Sequence, residues 1–321
     1  MLKVGVPEAV DRELHHFLPE GIALEIIPRQ PERTYDVDFW IAPVYRGAAE
    51  QSWPSLRGVR VVQSMLAGVD WLLRILPRDV TLCDARGVHT ISTAEWVLTA
   101  ILASYKYLPL YEEMQRAATW SRRKEAEAHF RALHATQQCF YPPVLLEELH
   151  GQRVLIIGYG DIGKAIEARL QAFGVTVDRI ARTSRAGVAA IGELPSLLPA
   201  ADIVVLVVPF TAETDGLIGE RELALIKQGA LLVNAARGPV VRTEPLLAAL
   251  RSGRIRAALD VTDPEPLPDG HPLWTAPNLL LTPHVAGSTP QFMRRAMQLA
   301  GEQIARYLRE EPLRNVVTGD Y

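Results

Sequence analysis

The segment Gly158-Tyr159-Gly160-Asp161-Ile162-Gly163 is the first in this chain whose spacing could do chemistry. It follows the apolar run 154–157, opens a helical stretch KAIEARLQAF, and is trailed by a second strand-like run at 175–180. In that setting Gly158 permits a tight turn, Gly160 lets the backbone approach a pyrophosphate, and Gly163 lets helix and strand pack closely. The helix start, with the N–H groups of Asp161, Ile162 and Gly163, offers unpaired donors and a positive dipole to phosphates. Glycines serving only turn and packing are the blander reading. The strand–turn–helix context weighs against it, and a dinucleotide site is expected.

The end of the second strand decides which dinucleotide. NAD enzymes place Asp or Glu there to accept hydrogen bonds from the ribose 2′-OH. Counting from Gly163, that position falls near Ala181, within Ile180-Ala181-Arg182-Thr183-Ser184-Arg185. Two arginines flank a Thr-Ser pair where the carboxylate would stand, and a guanidinium suits a 2′-phosphate. Asp178 is the rival acid but lies three residues early, within the strand. Arg182, Thr183 and Arg185 are therefore expected to select NADP(H) over NAD(H).

These residues need elements to position them. Strand-like runs recur at 175–180, 203–208, 231–233, 257–259 and 279–281, with helical segments between several. Continuous apolar runs are what buried parallel strands look like, so this half reads as a doubly wound α/β domain. Runs at 2–6, 24–27, 39–42 and 59–63, with a helical stretch at 69–76, make the first ninety or so residues an alternating β/α unit. Ser92-Thr93-Ala94-Glu95 matches a capping box, which predicts a long helix starting there, and Pro109 should kink or divide it. Residues 121–131 read as a solvated helix face, and Phe140-Tyr141-Pro142-Pro143 as a linker. Ser288-Thr289-Pro290 opens a last helix to about Leu308.

A longer pattern follows the glycine motif. Pro209-Phe210-Thr211 with Thr214, Asn234-Ala235-Ala236-Arg237-Gly238, Leu259-Asp260-Val261 with Glu265-Pro266, His271-Pro272-Leu273-Trp274 and Thr282-Pro283-His284-Val285-Ala286-Gly287 stand in that order. The series resembles the D-isomer-specific 2-hydroxyacid dehydrogenase family over about residues 60 to 300. The resemblance implies that Arg237 holds the substrate carboxylate and carbonyl, that His284 gives a proton to the carbonyl oxygen, and that Glu265 is its carboxylate partner. It implies that Asp260 orients the nicotinamide carboxamide, with Pro209, Thr214, Ala235, His284 and Gly287 also on the cofactor. The loop Ser64 to Asp70 resembles one whose backbone N–H groups bind the substrate carboxylate, which points to Leu66, Ala67 and Gly68. Elementary chemistry agrees: a histidine can supply a proton near neutral pH, a neighbouring carboxylate favours its charged form, and a guanidinium grips a carboxylate bidentately. The other histidines have no such company.

The resemblance also implies a Rossmann-type cofactor domain, 93–287, inserted into a flavodoxin-like substrate domain, 1–92 plus 288–321, with a cleft between them. It implies a homodimer, with the helical region 93–150 as contact. The arginine pair and the 64–70 loop are most similar to the glyoxylate/hydroxypyruvate reductase branch, which implies reduction of a small 2-oxoacid. Two alternatives stand: a dinucleotide-sensing corepressor-like binding protein, and a short phosphoglycerate dehydrogenase. Arg242 and Pro239 depart from the common pattern with no effect on the chemistry expected, whereas Trp71 after the 66–68 loop and the stretch 84–89 also depart from it and leave the substrate open.

Composition excludes other classes. The chain has 321 residues, 48% hydrophobic and 22% charged, which suits about two globular domains. Lys and Arg total 34 against 37 Asp and Glu, a net charge of −3, which is not the footprint of a nucleic-acid binder. The longest apolar run, 203–210, is far short of the ~20 residues a membrane helix needs. Pro7, Glu8 and Asp11 interrupt any secretory apolar region. Cys83 and Cys139 form no metal-ligand or disulfide pattern, so no metal is expected and the location is expected to be cytoplasmic.

Overall fold

The computed structural model describes residues 1–134 and 143–318, and the chain divides into two compact units, Met1–Thr90 with Gly287–Tyr321 and Ile91–Ala286. The linker expected at 140–143 lies outside the described residues, apart from Pro143.

The first unit contains β1 (Leu2–Pro7), β2 (Ile22–Ile27), β3 (Tyr35–Asp36), β4 (Phe39–Ala42), β5 (Leu56–Arg57), β6 (Val61–Ser64) and β7 (Thr81–Cys83). Five of them form one parallel sheet in the order β2-β1-β4-β6-β7, while β3 and β5 pair separately. Leaving out that short pair, the order is the flavodoxin-like 2-1-3-4-5. Helix Gln291–Leu308 lays Ala296, Met297, Ala300 and Ile304 on Val4, Val6, Phe39 and Ile41, while Trp40, Ala42 and Val62 face the opposite core. Residues 69–76 are not a helix but a single 3₁₀ turn, Leu72–Arg74. Val69 and Leu72 are fully buried, so tertiary burial and not helical periodicity accounts for their apolar character.

The second unit holds β8 (Arg153–Ile157), β9 (Thr176–Ala181), β10 (Ala189–Ala190), β11 (Ile203–Leu206), β12 (Leu231–Asn234), β13 (Arg256–Leu259) and β14 (Leu279–Leu281). Every pairing is parallel and the order is β10-β9-β8-β11-β12-β13-β14, the Rossmann order with one strand added at the edge. Side chains alternate across a strand. Val154 and Ile156 of β8 therefore join Val97 and Ile101 on one face, and Leu155 and Ile157 join Leu246 and Leu250 on the other. All eight are fully or almost fully buried, each adding roughly 1.5–3 kcal/mol. Two covered faces explain why the strands read as unbroken apolar runs.

Helix Thr90–Tyr105 begins two residues before the expected cap, and Ser92 lies inside it, buried. A buried serine within the first turn does not need to end the helix, so the capping-box pattern marked the neighbourhood and not the cap. Tyr107 takes φ +50° and helix Leu108–Arg116 restarts with Pro109 in its first turn, so the proline divides the segment as expected. The charged stretch forms a 3₁₀ turn, Ser121–Lys124, and helix Glu125–His134, which buries only Ala126 and Leu133. Among the described residues no helix is long and apolar enough to cross a membrane.

Candidate active site

The turn between β8 and helix Asp161–Leu170 has the geometry its glycines predict. Gly158 sits at φ +102°, where a Cβ would stand 2.5 Å from the Val207 carbonyl oxygen, and a Cβ on Gly163 would stand 2.5 Å from that of Gly158. Nothing lies within 4 Å of a Cβ built on Gly160, the N-cap, and no side chain caps this helix. The turn is thus closed on its inner side and open at Gly160, where the first helical N–H groups of Asp161, Ile162 and Gly163 begin. That open cradle fits a pyrophosphate. Beneath it the Tyr159 hydroxyl donates to Glu167, whose carboxylate takes the Arg179 Nε–H at 2.7 Å. The Arg179 hydrogen bond holds the Glu167 carboxyl below the usual carboxylate range, against its burial. Sequence reading missed this support, because Glu167 looks like any other helical glutamate.

β9 ends at Ala181. Asp178 lies opposite Leu155 inside the sheet, and its carboxylate takes the Arg153 Nη2–H at 3.0 Å, so the rival acid is committed elsewhere. Arg182, Thr183 and Arg185 are exposed. Arg185 Nη2 donates to the Tyr159 carbonyl at 2.6 Å, which holds its guanidinium against the glycine turn. Arg182 Nε lies 3.5 Å from a Glu213 carboxylate oxygen.

Arg237, Glu265, His284 and Asp260 come together at the carboxyl ends of β12, β13 and β14. Asn234, the last residue of β12, donates to the Arg237 carbonyl at 3.0 Å and accepts from the Ala236 N–H at 3.0 Å, folding the turn that presents Arg237. Arg237 Nη1 donates to the Ala236 carbonyl at 2.8 Å. Gly238 follows because a Cβ there would lie 1.9 Å from the Thr262 carbonyl oxygen. Thr243 and Thr262 hydroxyls donate to the Asp263 and Pro264 carbonyls at 2.7 and 2.9 Å and brace the loop carrying Glu265. His284 Nδ1 lies 2.6 Å from Glu265 Oε1. Burial of Glu265 opposes its ionisation, but the His284 hydrogen bond and the His284 and Arg237 charges outweigh it and hold the carboxyl below the usual range.

Asp260 is the least exposed of the group, at 2%. One carboxylate oxygen accepts from the Thr282 hydroxyl at 2.6 Å and the Val285 N–H at 2.8 Å, and the other from the Ala286 N–H at 2.8 Å. Its backbone carbonyl takes the His284 N–H at 2.7 Å, and His284 itself is in the left-handed region at φ +53°. Asp260 therefore clamps the loop that carries His284, a part not readable from its place in the motif.

Other predicted positions have internal partners. The Thr214 hydroxyl donates to the Pro209 carbonyl at 2.8 Å and accepts from the Thr211 N–H at 2.8 Å, bracing the 209–214 turn. The Ala235 N–H donates to the Leu206 carbonyl at 3.1 Å. Leu66, Ala67, Gly68 and Gly287 belong to the first unit. There the Leu66 N–H goes to Ser64 Oγ at 2.9 Å, and His89 packs where a Cβ on Gly287 would point. Arg242 pairs with Asp215 at 3.1 Å.

A cavity of about 230 Å³ adjoins the pair, lined by Glu265, His284, Asp260, Thr282, Leu267 and Trp274 among others. A larger one, about 400 Å³, lies among residues preceding or opening the strands of this sheet, including Gln152, Asp202, Ala230 and Arg256. Ligands of open α/β sheets bind at the other, carboxyl ends. Four of the larger cavity's charges are also paired, Arg256 with Glu147 at 2.8 Å and Lys227 with Asp202. Among the described residues no group of three or more His, Cys, Asp or Glu could hold a metal ion.

A Rossmann-ordered sheet with an open glycine cradle defines a dinucleotide-binding fold, and the comparisons give its family. Residues 98–286 match the family described as D-isomer specific 2-hydroxyacid dehydrogenase, NAD binding domain. A glyoxylate reductase of Thermococcus gammatolerans is 31% identical over 310 residues, 89% of this chain and 87% of that one. A D-isomer specific 2-hydroxyacid dehydrogenase from Xanthobacter autotrophicus Py2, solved in complex with NADPH and MES, superposes with a TM-score of 0.77 at 29% identity over 98% of both chains. An NADPH-dependent glyoxylate/hydroxypyruvate reductase from Sinorhizobium meliloti, solved with NADP and sulfate, has a TM-score of 0.79 at 25% identity, covering 98% of this chain and 97% of that one. The chain belongs to the D-isomer-specific 2-hydroxyacid dehydrogenase family. It is an NAD(P)-dependent oxidoreductase.

Proposed function

We propose that the protein reduces a small 2-oxoacid, such as glyoxylate or hydroxypyruvate, to the D-2-hydroxyacid with NADPH. The observation that carries the reading is the His284–Glu265 pair at 2.6 Å beside the Arg237 charge. Bound at the glycine turn, the dinucleotide supplies a hydride to the substrate's carbonyl carbon. Glu265 faces Nδ1 of His284, so Nε2 is the nitrogen that presents a proton to the carbonyl oxygen. Glu265, kept ionised, holds Nδ1 of His284 and fixes the ring's orientation. Arg237 holds the substrate carboxylate and polarises the carbonyl. Substrate binding is also proposed for the backbone N–H groups of Leu66, Ala67 and Gly68. Gly158, Gly160 and the N–H groups of Asp161, Ile162 and Gly163 hold the pyrophosphate. Pro209, Thr214, Ala235, Asp260 and Gly287 complete the cofactor's surroundings.

The choice of NADPH is supported by Ala181 at the strand end with Arg182, Thr183 and Arg185 beside it, and by the NADP(H) complexes of the two similar structures. The units are read as a cofactor domain and a substrate domain. A homodimer through 93–150 is supported by Leu108, Trp120 and Leu146, apolar side chains left more than half exposed there. Light scattering on the purified protein checks it.

The test is cofactor oxidation with NADPH and NADH across glyoxylate, hydroxypyruvate, pyruvate, bulkier 2-oxoacids and 3-phosphohydroxypyruvate. The highest kcat/KM is expected for NADPH with the smallest acids. Turnover confined to the phosphorylated acid, or an advantage for NADH, would overturn the corresponding part.

A further inference from the structure

The crevice beside the glycine turn holds a charge that the NADPH reading does not use. Arg182 follows β9 and Glu213 stands on the turn after β11. β8 lies between those two strands, so the pair meets across its carboxyl end, over the glycine motif. The 209–215 turn is braced without help from Glu213. The Thr214 hydroxyl ties Pro209 to Thr211, the Asp215 N–H reaches the Thr211 carbonyl at 3.0 Å, and Gly216 N–H reaches the Pro239 carbonyl at 2.9 Å. The Glu213 side chain is 71% exposed and the Arg182 side chain 61%. An ion pair this open contributes little to stability. Its position therefore matters more for what approaches it than for the fold.

We infer that Glu213 is a specificity-determining residue that weakens 2′-phosphate binding, by neutralising Arg182 in the free protein and by repelling the dianion once it arrives. The inference rests on the proposed NADPH site and adds to it a brake on cofactor preference. A phosphate gripped on the far side of the Arg182 guanidinium would lie roughly 6–7 Å from the Glu213 carboxylate, where a dianion in water is disfavoured about tenfold, or about threefold with physiological salt. NADH, with a neutral 2′-hydroxyl, does not meet this penalty.

The experiment is fluorescence titration of the full chain with NADPH and with NADH, at low salt and at high salt, for wild type, Glu213→Gln, Glu213→Asp and Arg182→Ala. Glu213→Gln should tighten the Kd for NADPH three- to tenfold, leave that for NADH unchanged, and lose its effect at high salt. Glu213→Asp, which keeps the charge, should resemble wild type. Equal shifts for both cofactors, or no shift in Glu213→Gln while Arg182→Ala still weakens NADPH, would overturn the role of Glu213 alone. If Arg182→Ala leaves the Kd for NADPH unchanged, the 2′-phosphate site itself is wrong and this inference falls with it.

Discussion

Asp260→Asn should loosen the loop that carries His284 before any cofactor is added. The native carboxylate accepts three hydrogen bonds from residues 282–286 and is almost wholly buried, so water cannot replace a lost partner. An asparagine that keeps its oxygen toward Thr282 and Val285 turns its NH₂ toward the Ala286 N–H, donor against donor. A hydrogen bond to a charged group contributes about 1.5–3 kcal/mol, and an orphaned buried donor carries a similar penalty. The two bonds that survive become neutral and weaken. The loss is about 3–4 kcal/mol, which makes opening of the segment roughly 10²–10³ times more frequent. Amide hydrogen exchange at Val285 and Ala286 in the cofactor-free protein measures this directly, and kcat should fall along with the protection. Wild-type protection at both amides, with only cofactor binding impaired, would refute the clamp and leave Asp260 as a dinucleotide contact alone.

His284→Ala should lower kcat by roughly 10²–10⁴, the usual worth of a positioned general acid, and full activity in a steady-state assay would remove His284 from the mechanism. Arg237→Lys keeps the charge but loses the planar fork, so kcat/KM for the 2-oxoacid should still fall; unchanged constants would rule out a bidentate grip. Glu265 is held below its ordinary range in the fold, so its stabilising contribution is complete above about pH 4.3 and is lost as pH falls through the lower folded value. Thermal melts below pH ~4.3 should therefore show wild type losing more Tm than Glu265→Gln; parallel losses would mean the pair adds nothing. Gly238→Ala drives a methyl group to 1.9 Å from a backbone carbonyl oxygen, and a melt should show strong destabilisation, whereas a wild-type Tm would mean the Thr262 backbone can yield.

What was legible in the sequence follows from how local the cause is. The unit from β8 through the glycine turn into helix Asp161–Leu170 could be read because each step is set by near neighbours: a double-sided strand gives an unbroken apolar run, and φ +102° at Gly158 asks for glycine. The helix start at Thr90 and the irregular path of 69–76 were not legible. There burial against distant strands overrides capping and periodicity. In the candidate site, Arg237, Glu265 and His284 stand out through their motifs, and Asn234 folds the turn under Arg237 locally, but other contacts join positions far apart in sequence. Asp260 reaches loop 282–286, and Thr243 reaches the Asp263 carbonyl in the loop that carries Glu265. The same residue types occur many times on the surface, so composition cannot separate a clamp from a solvated charge. Asp178 shows the converse: by spacing it is a plausible ribose ligand, and only the register of β8 against β9 shows its carboxylate taken by Arg153. A carboxylate's chemistry here depends on which donors the fold has already brought to it, and those donors come from strands paired side by side in the sheet.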